Sequence, residues 1–223
     1  MLLNSVGTGK DEAAAKEWFE RASKLGNPHA QYQLARMILN NLSSTPEQTA
    51  QALEWLTKAA EAGQDCAQYM LGKIYRDGHG TEKDIQKAVE LFTVAAEQKN
   101  SFAAFALGKL YLAGDVALPK NSAAALKWLT SAAELGNQSA QYRLGKLLLQ
   151  GEDVPKDIET AVHWLTAAAD QGNQYAQYAL GKLYLLGKEV QKDRASAIKW
   201  FQLAADQGNE YAQYFLEHLS LIH

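Results

Sequence analysis

The side chains of this sequence best suited to chemistry are five histidines, His29, His79, His163, His218 and His223, and one cysteine, Cys66. A metal site needs several such ligands at short, regular spacing, and these are scattered without it. No metal and no cofactor are expected. Cys66 has no histidine or second cysteine beside it and reads as a small, partly buried side chain. Carboxylates are plentiful, but they fall at helix caps and solvent faces, and no acid and base pair can be named. The string Val6-Gly7-Thr8-Gly9-Lys10-Asp11 invites a phosphate-loop reading, yet Asn4 stands where the earlier glycine is required and Asp11 where Ser or Thr should follow the lysine. Gly78-His79-Gly80 falls between two helical stretches, which makes it a turn and not a dinucleotide fingerprint. Asn41-Leu42-Ser43 and Asn137-Gln138-Ser139 fit the glycosylation pattern, which short strings satisfy easily.

One arrangement does recur. An aromatic and a base stand four residues apart in Tyr32 and Arg36, Tyr69 and Lys73, Phe105 and Lys109, Tyr142 and Lys146, and Tyr178 and Lys182, with Tyr214 and His218 in the same relation. That spacing puts both on one helical face. Such a face could bind acidic groups through charge-assisted hydrogen bonds and apolar groups through its rings. Equally, the rings could pack between repeats with the lysines solvated; both readings stay open here. The position three before each aromatic varies, reading His29, Cys66, Phe102, Ser139, Tyr175 and Tyr211, and would set specificity if a ligand binds.

These pairs must be held by something periodic. Ala-Gln-Tyr begins at Ala30, Ala67, Ala140, Ala176 and Ala212, with Ala103-Ala104-Phe105 in phase, so the intervals are 37, 36, 37, 36 and 36 residues. A second series, Trp18, Trp55, Trp128, Trp164 and Trp200, keeps the same phase, with Leu91 in the missing place. Within each unit two stretches show helical spacing, for example Ala140, Leu144, Leu147 and Leu148, then Ala161, Trp164, Leu165 and Ala168. Each repeat is therefore a helix pair. Gly-Asn at 26–27, 136–137, 172–173 and 208–209 ends one helix and caps the next. Asp11, Asp84, Asp157, Asp193 and Asn121 are placed to cap the second helices, and Thr45-Pro46-Glu47-Gln48 spells a capping box. Gly72, Gly108, Gly145 and Gly181 lie inside first helices, where each costs about 1 kcal/mol against alanine. Close approach of the second helix at its small residues Ala52, Ala88, Ala125, Ala161 and Ala197, beneath a tryptophan layer, would offset that cost.

Composition sets outer limits. With 47% hydrophobic residues there is ample core material, and a net charge of −3 argues against a dedicated nucleic-acid binder. A single cysteine allows no intrachain disulfide, which suits a reducing, cytoplasmic setting. No stretch reaches the roughly 18 apolar residues of a membrane helix.

The unit resembles the Sel1-like branch of the tetratricopeptide-type solenoids. Ala176-Gln177-Tyr178-Ala179-Leu180-Gly181-Lys182-Leu183-Tyr184-Leu185-Leu186-Gly187, then Lys192-Asp193, then Ala197-Ile198-Lys199-Trp200-Phe201 matches its pattern almost throughout. The resemblance implies an all-α, right-handed α/α superhelical solenoid over 1–223. Its parts would be a partial repeat over 1–29, full repeats over 30–66, 67–102, 103–139, 140–175 and 176–211, and a capping helix over 212–223. Because the chain enters at a second helix, residues 11 to 25, the natural protein is expected to continue upstream. By the same resemblance the aromatic and basic positions line a concave groove, giving a candidate peptide site of Tyr69, Lys73, Phe102, Phe105, Lys109, Tyr142, Lys146, Tyr175, Tyr178, Lys182, Tyr211 and Tyr214. The implied function is a non-catalytic interaction scaffold for a protein or peptide, acidic or with a free carboxylate end, with no nucleic acid and no membrane as partner. Two alternatives come from more distant echoes. Repeats spelled Gly-Asn-x-Tyr-Ala-Gln-Tyr are similar to the C-terminal region of some plasmid-mobilisation relaxases, and cysteine-rich members of the branch suggest a β-lactam-binding hydrolase, although their paired cysteines are missing here.

Overall fold

The computed structural model describes residues 9–41 and 45–219. Among them are twelve helices: α1 Gly9–Lys24, α2 Pro28–Leu39, α3 Pro46–Glu61, α4 Asp65–Asp77, α5 Ile85–Glu97, α6 Ser101–Ala113, α7 Ser122–Glu134, α8 Gln138–Gln150, α9 Ile158–Asp170, α10 Gln174–Leu186, α11 Arg194–Ala205 and α12 Glu210–His218. The described residues hold no strand, only one isolated bridge between Asp115 and Leu118. The chain is all-α and of the α/α solenoid class.

The helix starts follow from the caps. Asn27, Asn137, Asn173 and Asn209 accept from the backbone N–H of Ala30, Ala140, Ala176 and Ala212, each at 3.0 Å. Asp84, Asn121, Asp157 and Asp193 do the same for α5, α7, α9 and α11. Thr45 and Gln48 complete a capping box on α3. Asp11 departs from the expectation in position: α1 begins at Gly9, so Asp11 lies inside the helix rather than before it. Where one repeat passes to the next the chain turns through a left-handed residue, glycine at Gly136, Gly172 and Gly208 but Lys99 at φ 67° in the corresponding place.

The described residues form two compact units, those up to 103 with 115–118, and those of 104–114 with 119–219. In the first, α2 packs on α3, α3 on α4 and α4 on α5. In the second, α7 to α12 pack in the same sequential manner, each on the next. Within each unit contacts run mainly between helices adjacent in the chain, as expected where each repeat buries its apolar face on its neighbours.

The core differs from the expectation in one respect. Trp55, Trp128, Trp164 and Trp200 are only half-buried and Trp18 is exposed. The residue one place on is the one fully buried: Leu56, Phe92, Leu129, Leu165 and Phe201. Each contributes about 1.5–3 kcal/mol by leaving water. These residues, not the tryptophans, fill the space over the helix glycines. A Cβ built on Gly72 would stand 2.7 Å from Phe92 Cε1, on Gly108 2.7 Å from Leu129 Cδ2, and on Gly181 2.6 Å from Phe201 Cδ1. At Gly145 it would meet Leu165 Cγ at 2.8 Å and the Ala161 carbonyl oxygen at 2.9 Å, so there the backbones themselves come together.

A buried amide ladder went unread in the sequence. Within Ala-Gln-Tyr the glutamine is buried at Gln31, Gln68, Gln141 and Gln177 and exposed at Gln213, and Gln68, Gln141 and Gln177 donate to the carbonyls of Ala60, Ala133 and Ala169 at 3.1, 3.1 and 3.0 Å. Each then accepts from the glutamine that ends the next second helix, Gln98, Gln171 or Gln207, at 2.8, 2.7 and 2.8 Å. Its recurrence in every Ala-Gln-Tyr string was the available signal. One repeat lacks both partners, with Ala104 and Leu135 in their places.

Candidate functional site

The aromatic and basic positions divide by depth. Tyr69, Tyr142 and Tyr178 are half-buried, while Lys73, Lys109, Lys146 and Lys182 are exposed. Helical geometry lays the base over the ring it follows: Arg36 over Tyr32 and Lys73 over Tyr69 at 5.9 Å, Lys109 over Phe105 at 5.7 Å, and Lys182 over Tyr178 at 5.8 Å. His218 stacks on Tyr214 at 4.2 Å. Burial pushes the Tyr69, Tyr142 and Tyr178 hydroxyls up, so they remain protonated donors at neutral pH.

The variable positions complete this pattern. Phe102 packs on Tyr69 with centroids 6.0 Å apart, Tyr175 on Tyr142 at 6.1 Å, and Tyr211 on Tyr178 at 6.0 Å. Each variable aromatic thus leans on the fixed aromatic of the preceding repeat and keeps most of its own surface in water.

In the first unit these contacts bring together Tyr69, Lys73 and Phe102. There Arg76 is held by Asp77 through two bonds of 2.7 Å, which raises the guanidinium and lowers the carboxyl. In the second unit α8, α10 and the start of α12 enclose an open cavity of about 450 Å³, lined by six of the proposed residues, Tyr142, Lys146, Tyr175, Tyr178, Lys182 and Tyr211. Leu149, Ala179, Leu183 and Leu186 form its apolar wall, and none of the lining residues is a carboxylate. Phe105 and Lys109 pair on α6, outside the cavity lining, and Tyr214 lies against Phe215 and His218. Arg143 and Lys146 line a second, smaller hollow with Leu112 and Ala113 of α6.

The loop lysines do other work: Lys83 reaches Asp115 at 2.9 Å, Lys120 reaches Asp153 at 2.5 Å and Lys156 reaches Glu189 at 2.6 Å, each tying one repeat's loop to the next. These pairs are exposed, so solvent screens them and they add little to stability.

The chemistry-bearing residues stay apart. No group of three or more His, Cys, Asp or Glu among the described residues could hold a metal ion. The Cys66 thiol donates to Asp65 at 3.8 Å, and burial followed by the Asp65 charge pushes its pKa up, away from the reactive thiolate. Residues 6–8 of the glycine-lysine string and His223 lie outside the described residues, as do Leu42 and Ser43 of the first glycosylation string. Asn137 of the second is buried and occupied as the cap of α8. Gly78-His79-Gly80 is a turn that begins at the left-handed end of α4.

Comparison with known proteins fits this architecture. The Sel1 repeat model matches residues 1–27, 28–64, 67–100, 101–137, 138–173 and 174–209, and the chain belongs to the Sel1 repeat family. It is similar in structure to a Sel1 repeat protein from Oxalobacter formigenes, at 33% identity and TM-score 0.81 over 92% of this chain and 58% of that one. It also resembles c5321, a protective antigen of uropathogenic Escherichia coli, at 28% identity and TM-score 0.51 over 91% of this chain and 51% of that one. The immunity protein Pa5087 from Pseudomonas aeruginosa matches at 29% identity and TM-score 0.52, over 85% of this chain and 69% of that one. This chain thus spans little more than half the length of the first two. No curated protein matches the sequence. Sel1 repeat proteins generally mediate protein–protein interaction, and the fold is typically a non-enzymatic scaffold. The relaxase and β-lactam readings gain no support from these matches. Among the described residues no helix is long and apolar enough to cross a membrane.

Proposed function

We propose that the chain is a non-catalytic scaffold that holds an acidic segment of another protein against the first helices of its second unit, in a reducing compartment such as the cytoplasm. One observation carries the reading. Within α6, α8 and α10 the charged residues are Lys109, Arg143, Lys146 and Lys182, without a single carboxylate, although the whole chain has net charge −3. Among the described residues none of these four forms an ion pair. Cations gathered on one set of helices, beside half-buried tyrosines, complement a segment of opposite charge.

The test is a fluorescein-labelled glutamate-rich peptide titrated with the full chain and with the Lys109→Glu, Lys146→Glu, Lys182→Glu variant. Helicity should be unchanged while affinity falls at least thirtyfold, since charge-assisted hydrogen bonds contribute about 1.5–3 kcal/mol each. Equal affinity of the two proteins would remove the reading.

A further inference from the structure

The cavity between α8, α10 and the start of α12 asks for more than charge. Its volume of about 450 Å³ lies within the range of roughly 300–1,000 Å³ typical of ligand sites. Three large apolar side chains surround it in water, Tyr175 at 57% exposure, Leu186 at 52% and Tyr211 at 73%. Lys146 and Lys182 flank the same space, one on each of the two long helices that form it. Solvent is a poor occupant for an apolar wall of Leu149, Ala179, Leu183 and Leu186, and an uncharged ligand would leave both ammonium groups without a counter-charge.

Resting on the reading of the acidic segment above, we infer that this cavity is an anchor pocket for one bulky apolar side chain of that segment. Carboxylates on either side of the anchor meet Lys146 and Lys182, so the recognised motif is an aromatic or large aliphatic residue flanked by acids. The rings of Tyr142, Tyr178 and Tyr211 supply faces for an aromatic anchor, and the half-buried tyrosines cost little to order because neighbouring repeats already hold them. Specificity then comes from the variable positions Tyr175 and Tyr211, which rim the pocket.

The experiment titrates the full chain with three labelled peptides of one length: glutamate-rich with a central Trp, the same with a central Ala, and a glutamine-rich one with the central Trp. The Glu/Trp peptide should bind at least tenfold more tightly than either other. In Ala179→Phe, which fills the cavity and keeps both lysines, the Trp-over-Ala preference should vanish while the Glu/Ala peptide still binds. Leu186→Ser, at an exposed rim position, provides the same readout if Ala179→Phe fails to fold, with the preference falling at least threefold. Equal binding of Glu/Trp and Glu/Ala peptides overturns the anchor and leaves the acidic-segment reading standing. Binding of neither glutamate peptide overturns that reading as well. Displacement of the Glu/Trp peptide by an equimolar single-stranded oligouridine would show a base-stacking surface and overturn the anchor.

Discussion

In the first unit, α4 carries Asp65 and Asp77 beside Lys73 and Arg76, and Arg76 is spent on Asp77; in the second, α8 and α10 carry cations alone and frame a cavity. The helix pairs are otherwise built alike, and each unit lays a helix glycine against an aromatic ring, Gly72 on Phe92 and Gly181 on Phe201. A repeat scaffold therefore fixes where a side chain stands, and the few positions free of packing duty decide whether a unit keeps its charges to itself or offers them to a guest.

The largest expected difference lies at Gly145 of the second unit, where backbone meets backbone, against Gly72 of the first, which meets only a ring. Gly145→Leu should prevent stable folding of the second unit, and Gly145→Ala should cost about 2–3 kcal/mol, because the added methyl meets the Ala161 carbonyl as well as Leu165. Gly72→Ala should cost about 1 kcal/mol, since the nearest atoms are the outer edge of the Phe92 ring. Chemical denaturation of both variants measures the gap; equal losses would erase the distinction.

Next in size is the amide ladder. Gln171→Leu should destabilise by about 1–2 kcal/mol by leaving the Gln141 oxygen without its partner, and Gln98→Leu should do the same to Gln68 in the first unit. The double variant Gln141→Ala, Gln171→Leu copies the apolar pair Ala104 and Leu135 and should recover part of the loss. A double-mutant cycle without positive coupling would show that the two glutamines act separately.

Lys99 tests the turn that the first unit makes without glycine. Lys99→Gly should raise stability by about 0.5 kcal/mol, the left-handed strain relieved slightly exceeding the entropy that glycine adds to the unfolded chain. A lower melting temperature would count against that balance.

The smallest effect is a pH dependence of the second unit. Thr160 holds Asp157 below the usual carboxylate range, and the Ser196 hydroxyl and backbone N–H do so for Asp193. A folded pKa below the unfolded one means that their contribution is complete above about pH 4 and fades as the pH falls through the folded values. Asp157→Asn with Asp193→Asn should flatten the acid limb of the melting curve below pH 4; an unchanged limb would place the acid sensitivity elsewhere.

Much of this was legible because it is local. An asparagine or aspartate accepts from an N–H three residues on, so the caps at Asn137, Asp157 and Asn173 could be read from their place in the repeat. The aromatic and basic pairs were legible for the same reason, since four residues on a helix fix their mutual position. The role of Gln141 was hidden, because its partners Ala133 and Gln171 stand 8 and 30 residues away.

Sequence alone thus determined the repeat, its helix pairs, their ends and the residues that share a helical face, all governed by hydrogen bonds and periodicities within a few positions. Only the tertiary structure decided that Leu165 and Phe201, not Trp164 and Trp200, fill the glycine contacts. It also decided that Tyr142, Tyr175, Tyr178 and Tyr211 meet around one cavity. Side-chain size and helix separation choose between adjacent residues on a turn, and that choice is made when one helix is laid on another.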